Sequence, residues 1–405
     1  MRTGHSYWRD DMKILLIVLD GAADLGENTP YRMAKKPNID KLASKGVVGM
    51  LDFGYKKSVD SDLGFLKLLG VYDEKEYPGR GFFDALGAGL ETRDGIIYVR
   101  GNFATLDDKG NVIDRRAGRN EEGLDELAGR LDGMEIDHVK FSVHHALGHR
   151  AIVEMEGKNL SRFVTSNDSR LTNVPLMQIK PLNVKAKFTA SVLNKFTYRA
   201  IKILREDPIN AKRKPPANLL LTRSLGTKNE TRSFDERYGV KGCVICAHMT
   251  AWGIAKYLGM EVIHVPNTDA TPNTNLRGKI DATAKALKTN DFVWLHINGT
   301  DMLSHDRKRQ EKAKFIEKID ENLGILLKSI DIDDTIIALT SDHTTCSLKD
   351  FKGYEHQPDP VPFLISGGGI SPDHVEKFDE ESCKKGFLKL KGNGLMKKII
   401  EYSEK

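Results

Sequence analysis

Two kinds of pattern alternate along this chain. Short, mainly apolar runs rich in β-branched residues fall at 13–19, 47–51, 218–222, 243–247, 261–265, 291–297, 335–340 and 361–366. Runs of this length with little polar interruption predict strands buried on both faces. Between them, apolar residues recur at helical spacing over 36–45, 61–70, 249–258, 279–288 and 308–329. Strands that alternate with helices predict an α/β fold, a mostly parallel sheet sandwiched by helices.

The middle of the chain breaks this rhythm. From about 80 to 185 the pattern gives short strands (IIYVRGNFATLD, NVIDRR, HVKFSV, HRAIVEME), turns and few clear helices, and DDKG at 107–110 marks a hairpin. A helical stretch near 186–206 and the basic, Pro-rich NAKRKPP at 210–216 lead back to the sheet. The expected organisation is a discontinuous core, 1–78 and 216–405, with an inserted α+β lobe at 79–215. Residues 1–11, MRTGHSYWRDD, are polar and aperiodic; they read as a loose extension or an over-called start before Met12.

Composition narrows the class. At 405 residues, 40% apolar and 29% charged, the chain can bury a large core. The net charge of +5 comes from scattered Lys and Arg without a long basic block, so no nucleic-acid partner is expected. No run approaches the roughly 18 apolar residues of a membrane helix. ILLIVL ends in Asp-Gly, which makes it a strand and no signal peptide. The four cysteines, Cys243, Cys246, Cys346 and Cys383, offer no disulfide framework, and CVIC reads as part of a buried strand. A reducing, cytoplasmic location follows as the expectation.

Chemistry-bearing residues gather where apolar runs end. LLIVLDG ends in Asp20, FVWLHINGTDMLSH carries Asp301 and His305, TIIALTSDH ends in Asp342 and His343, and His356 precedes VPFLI. Taken singly, each has an ordinary reading: a helix cap for Asp20, a turn for Asp342, a solvated helix start for Asp301 and His305, a surface residue for His356. Together they are the carboxylate and imidazole set that suits divalent cations, at the strand ends where open α/β sheets hold their chemistry. Ser61 opens the apolar-periodic SDLGFLKLLG. A serine there is either an N-cap or a nucleophile favoured by the helix N-terminus and a nearby cation.

A longer series of motifs carries a resemblance. LLIVLDGAAD, TPYRMAKKPNIDKLASKG, SDLGFLKLLG, GRGFFDALGAG, GNFATLD, DRRAGR, LTSDH, HQPDPVP and FDEESCKKG, in this order, resemble the archaeal-type cofactor-independent phosphoglycerate mutases of the alkaline phosphatase superfamily. The similarity runs through nearly the whole chain from Met12. It implies an alkaline-phosphatase-like sheet domain and a lobe that closes over substrate. It also implies two divalent ions, manganese first, with magnesium, cobalt or zinc as alternatives, and no 2,3-bisphosphoglycerate. By motif, Asp301, His305 and His356 hold one ion, and Asp20, Ser61, Asp342 and His343 the other. The implied reaction interconverts 3-phosphoglycerate and 2-phosphoglycerate, a step of glycolysis and gluconeogenesis, through phosphoserine on Ser61.

The partner is then a small phosphorylated substrate, with the oligomeric state left open. The insert is expected to bind its anionic groups through Arg115, Arg116, Arg119, Arg150 and Arg223, since arginine holds carboxylate and phosphate bidentately. His144, His145 and His149 in HHALGH read as a surface loop or as acid–base groups. The same metal–serine core would also serve a phosphomonoesterase, a phosphosugar mutase or a metal-binding relative without turnover. Leu63-Gly64-Phe65 stands where many members carry Thr-Ala-His.

Overall fold

The strand Lys13–Leu19 is buried over almost its whole length and lies inside an eight-stranded sheet. The computed structural model that shows this describes residues 12–58, 60–353 and 355–404; the extension expected at 1–11 lies outside them. Phe292–Ile297 and Thr335–Thr340 flank the central strand, both parallel to it. Gly242–Ile245 and Glu261–Ile263 continue the parallel half. On the other side, Val361–Gly367 runs antiparallel to Thr335–Thr340 and to Val47–Asp52, and Leu388–Lys391 closes that edge.

Register explains why distant residues meet. Leu19 pairs with Ile297, Val18 with Thr340, and Thr340 with Phe363. Asp20, Asn298 and Ser341 therefore leave the sheet at one edge. Because Val361–Gly367 runs the opposite way, the segment entering it, which holds His356, arrives at that same edge.

Alternation along each strand divides the core in two. Leu15, Ile17 and Leu19 pack in one cluster with Ile39 and Leu42, Leu276 and Ile280, and Phe315, Ile316, Ile319, Leu323 and Leu326. These last five lie on one face of helix Arg309–Ser329. Each such side chain contributes roughly 1.5–3 kcal/mol by its burial. On the opposite face Phe65, from helix Ser61–Leu68, makes edge contacts with Trp294 and His296 at centroid distances of 5.1 and 4.9 Å. The four cysteines are free and buried, with Cys243 inside a strand as expected.

The chain divides into two compact units, one over Met1–Lys75 and Thr231–Lys405, the other over Glu76–Glu230. The smaller unit is built on antiparallel pairings of Val139–His145, Arg150–Glu156 and Ile96–Leu106. Helix Lys187–Glu206 adds Phe196, stacked on Phe141 at 4.4 Å. Two differences from the sequence expectation arise here. The apolar run at 218–222 was expected to begin the return to the core at 216. It belongs instead to strand Leu219–Thr227, which pairs antiparallel with Ile96–Leu106 and keeps the smaller unit intact to Glu230. An apolar run reports a buried strand and not the sheet it joins. The insert also holds helices Arg80–Gly87 and Leu124–Leu131. The second shows a regular buried face, Leu124, Leu127, Ala128 and Leu131.

One buried acid in the larger unit gives a pH prediction. Glu380 accepts hydrogen bonds from the Asp24 backbone N–H at 3.0 Å and from Thr29 Oγ1 at 2.5 Å. Burial pushes its carboxyl up from 4.5 to about 6. The folded chain therefore binds more protons than the unfolded chain between these values, and stability falls as pH rises through that window. The loss is about 2 kcal/mol, at roughly 1.4 kcal/mol per pH unit. Urea-unfolding free energies of Glu380→Gln and the wild type, compared from pH 4 to 7, should diverge by that amount in favour of the variant. Parallel curves would show that Glu380 does not titrate in this window.

Candidate active site

Asp20 follows the central strand directly, and its two carboxylate oxygens have different surroundings. Oδ2 accepts a hydrogen bond from Asn298 Nδ2 at 2.7 Å and lies 3.3 Å from His296 Nε2. Oδ1 is buried, accepts no hydrogen bond among the described residues, and lies 3.4 Å from His343 Nε2. Asp342 repeats this division. Its Oδ1 accepts the Gly21 N–H at 3.0 Å, while its buried Oδ2 accepts no hydrogen bond among the described residues and sits 3.2 Å from His343 Nε2. Ser61 Oγ approaches that same ring nitrogen at 3.2 Å. Four side chains, Asp20, Ser61, Asp342 and His343, thus converge on one buried point.

A second group adjoins it. Asp301 and His305 lie one turn apart on helix Gly299–His305, with Oδ2 and Nε2 3.2 Å apart. His356 Nε2 is 3.3 Å from His305 Nε2 and 3.7 Å from Asp301 Oδ1. The rings of His343 and His356 stack at 3.7 Å, so the two groups touch. Asp301, His343 and His356 on one hand, and Asp20, Asp342 and His343 on the other, each present ligand atoms within 4.8 Å of one another.

The electrostatics suit cations. Burial, and then the neighbouring Asp20, push the Asp342 carboxyl well above its ordinary range. Two carboxylates in a dry site repel until a positive charge sits between them. Burial would also raise Asp301, but the adjacent His305, and after it His356, hold it well below the usual range. Burial and then His356 push His343 well down, so its ring is neutral and able to ligate. Orphaned carboxylate oxygens, imidazole nitrogens and a hydroxyl form a donor set that fits divalent metal ions.

Ser61 is the first residue of its helix, with Asp60 at the N-cap position, so Ser61 is not the cap. Gly64 explains how this helix comes so near the ligand loop. A Cβ there would lie 2.4 Å from the Asp342 carbonyl oxygen. The Leu63-Gly64-Phe65 stretch thus supplies close approach at Gly64 and anchoring at Phe65.

Several residues here have no signal in the sequence. His296 and Asn298 hold Asp20, and Thr300 Oγ1 donates to the Asp20 carbonyl. Lys312, fully buried, donates to Asp24 Oδ2 at 2.8 Å and to the Thr345 carbonyl at 3.2 Å, joining the loop after Asp20 to the loop after His343. These are ordinary residue types, and only the folded geometry brings them to the ligands.

The expected arginines lie in the smaller unit. Arg115 grips Asp168 with two hydrogen bonds of 2.7 and 2.9 Å, and Arg223 lies 3.7 Å from the same carboxylate. Burial, Arg100, Arg80 and Arg116 push Arg150 down to about 9 against the pull of Asp84. Burial and the charges of Arg150, Arg116, Arg100 and Arg223 push His149 down to about 2. The fold thus gathers Arg116, Arg150 and Arg223 and adds Arg80 and Arg100. Arg119 is exposed in the turn Ala117–Arg119. His144 faces Glu154 at 3.3 Å and His145 pairs with Asp125 at 2.9 Å, which gives both histidines local partners.

Comparison with known proteins bears on this arrangement. The Metalloenzyme superfamily profile matches residues 12–401. The chain is 37% identical over 404 residues to "2,3-bisphosphoglycerate-independent phosphoglycerate mutase 1" of Methanocaldococcus jannaschii, covering 96% of this chain and 97% of that one. The chain belongs to the 2,3-bisphosphoglycerate-independent phosphoglycerate mutase family. Another member of that family, from Pyrococcus abyssi, is 38% identical over 411 residues, covering 97% of this chain and 98% of that one. Among solved structures, a Pyrococcus horikoshii protein matches with a TM-score of 0.79 at 30% identity, over 97% of both chains. The cofactor-independent phosphoglycerate mutase of Thermoplasma acidophilum matches with a TM-score of 0.62 at 32% identity, over 97% of this chain and 99% of that one. Among the described residues, no helix is long and apolar enough to cross a membrane.

Proposed function

We propose that the chain is a metal-dependent phosphoglycerate mutase, interconverting 3-phosphoglycerate and 2-phosphoglycerate through a phosphoserine on Ser61 and without 2,3-bisphosphoglycerate. The observation that carries this reading is the Ser61 hydroxyl, buried 3.2 Å from His343 Nε2, beside carboxylate oxygens that accept no hydrogen bond among the described residues. In this reading Asp301, His305 and His356 hold one ion, and Asp20, Ser61, Asp342 and His343 hold the other. Manganese suits such a mixed oxygen and nitrogen set, with magnesium, cobalt and zinc as alternatives. When bound, the ions make the Ser61 hydroxyl easier to deprotonate and offset the charge of the phosphoryl oxygens.

The chain's own residues carry the rest. Ser61 Oγ attacks phosphorus and forms a new P–O bond, while the bond from phosphorus to the 3-oxygen of glycerate breaks. The 3-oxygen takes up one proton, balancing the one that Ser61 Oγ loses, as glycerate is freed. Glycerate reorients, its 2-hydroxyl loses a proton and attacks the phosphoserine, the bond from phosphorus to Ser61 Oγ breaks, and Oγ takes a proton back. Placement of Ser61 at a helix N-terminus favours the negative charge that develops on Oγ. Arg115, Arg116, Arg119, Arg150 and Arg223 of the smaller unit bind the substrate's carboxylate and phosphate; the excess of guanidinium charge around Arg150 supports this role for that residue.

A coupled assay with 3-phosphoglycerate and manganese, following 2-phosphoglycerate and inorganic phosphate together, tests the proposal. Formation of 2-phosphoglycerate without phosphate release is the expected result. Release of phosphate in place of 2-phosphoglycerate would identify a phosphomonoesterase, and no turnover with metal bound would identify a non-catalytic relative.

A further inference from the structure

Thr345 lies two residues beyond His343, is buried, and has no part in the chemistry described so far. Its hydroxyl nonetheless joins the two ligand groups. Thr345 Oγ1 is 2.8 Å from His343 Nδ1 and 3.0 Å from Asp301 Oδ1. Its backbone is held on both sides, with the N–H donating to the Ala23 carbonyl at 2.9 Å and the carbonyl accepting from Lys312 Nζ at 3.2 Å. The surrounding space is shaped around this contact. Gly21 has a left-handed backbone (φ 57°), and a Cβ there would fall 2.6 Å from both Thr345 Oγ1 and Asp301 Oδ1.

A hydroxyl has one proton to give, and this decides the direction of the chain. An ionised carboxylate only accepts, so Thr345 donates to Asp301 Oδ1. Its oxygen is then left to accept, and the partner on that side must be a His343 Nδ1–H. With the proton on Nδ1, Nε2 carries a lone pair, and Nε2 is the atom that faces Asp20, Asp342 and Ser61. In the reverse arrangement Thr345 would donate to Nδ1 and set an oxygen lone pair against the Asp301 carboxylate. Only the first arrangement satisfies all three groups.

We propose that Thr345 is a positioning residue that fixes the His343 tautomer and orientation and ties that ring to Asp301, so that the two metal-binding groups are linked through one hydroxyl. This inference rests on the two-ion reading above. A hydrogen-bonded partner on the far nitrogen of a ligating histidine commonly changes metal affinity by about 10–100-fold. Thr345 would do this for one group while orienting a carboxylate of the other.

Equilibrium dialysis of the full-length protein against Mn2+ tests it. The wild type is expected to bind two ions. Thr345→Val keeps the side-chain shape without the hydroxyl and should weaken the ion on the His343 side by about 10–100-fold. Thr345→Ala gives the same readout without a methyl group pressed toward Asp301, in case the valine variant folds poorly. Thr345→Ser restores the hydroxyl and should bind both ions close to wild type. Rescue by serine separates hydroxyl donation from simple packing, which alanine, valine and serine would disturb in a different order. Wild-type affinity for both ions in the valine and alanine variants would overturn the relay while leaving the two-ion reading intact. Serine as weak as valine would also overturn it. A wild type that binds fewer than two ions would overturn the two-ion reading itself, and the relay with it.

Discussion

Ser61→Ala is expected to lower mutase turnover by on the order of 10⁴-fold or more, the scale seen when a covalent nucleophile is removed. The substitution takes away one oxygen and leaves Asp20, Asp342 and His343 in place around the point that Oγ occupied. The variant should therefore still bind metal, and elemental analysis should find its ion content close to wild type. The helix should survive as well, because Ser61 is its first residue and not its cap, and alanine favours the helical state. Activity lost with metal retained assigns the loss to chemistry. A complementary observation is available in the wild type: acid-quenched turnover mixtures should contain a peptide phosphorylated at Ser61. Near-wild-type turnover in the alanine variant would sink the phosphoserine mechanism.

Removal of divalent cations is the second large effect. Exhaustive chelation should bring turnover down by more than about 10³-fold, and added Mn2+ should restore it, because in the proposed mechanism the ions would supply both nucleophile activation and charge neutralisation. Stability should follow the same treatment. Without cations, Asp342 and Asp20 confront each other in a buried site where burial and mutual repulsion already push Asp342 up. Each ion present at about 1,000 times its Kd would stabilise the fold by about 4 kcal/mol. The thermal midpoint should therefore fall on chelation and recover on Mn2+ addition. Full activity after chelation, with metal removal verified by elemental analysis, would reject the two-ion site. Added 2,3-bisphosphoglycerate should leave the activity unchanged throughout.

Much of the architecture was legible in local pattern. The runs at 13–19, 335–340 and 361–366 and the periodic stretch at 308–329 correspond to elements within a residue of their ends. Burial on both faces leaves no polar alternation in such strands, so the continuous apolar run is itself the signal. The donor types at strand ends were legible for a similar reason, because Asp and His are conspicuous directly after a run such as LLIVL or TIIALT. Partner choice was not legible. The run at 218–222 has the apolar character of a core strand, yet it joins the antiparallel sheet of the smaller unit through Ile96–Leu106.

Chain order and residue chemistry were thus enough to specify an α/β protein with carboxylates, imidazoles and a serine gathered at one sheet edge. Backbone propensity and burial act over a few residues, and those few residues are read directly from the chain. The folded structure alone decided how the gathered groups share their atoms. Sheet register brought Asp20, Asn298 and Asp342 to one edge, and the antiparallel return of Val361–Gly367 added His356. Gly64 let the Ser61 helix close on Asp342, and Thr345 came to lie between His343 and Asp301. Hydrogen bonds and ligand distances depend on positions fixed by residues hundreds of places apart, and no local pattern carries that information.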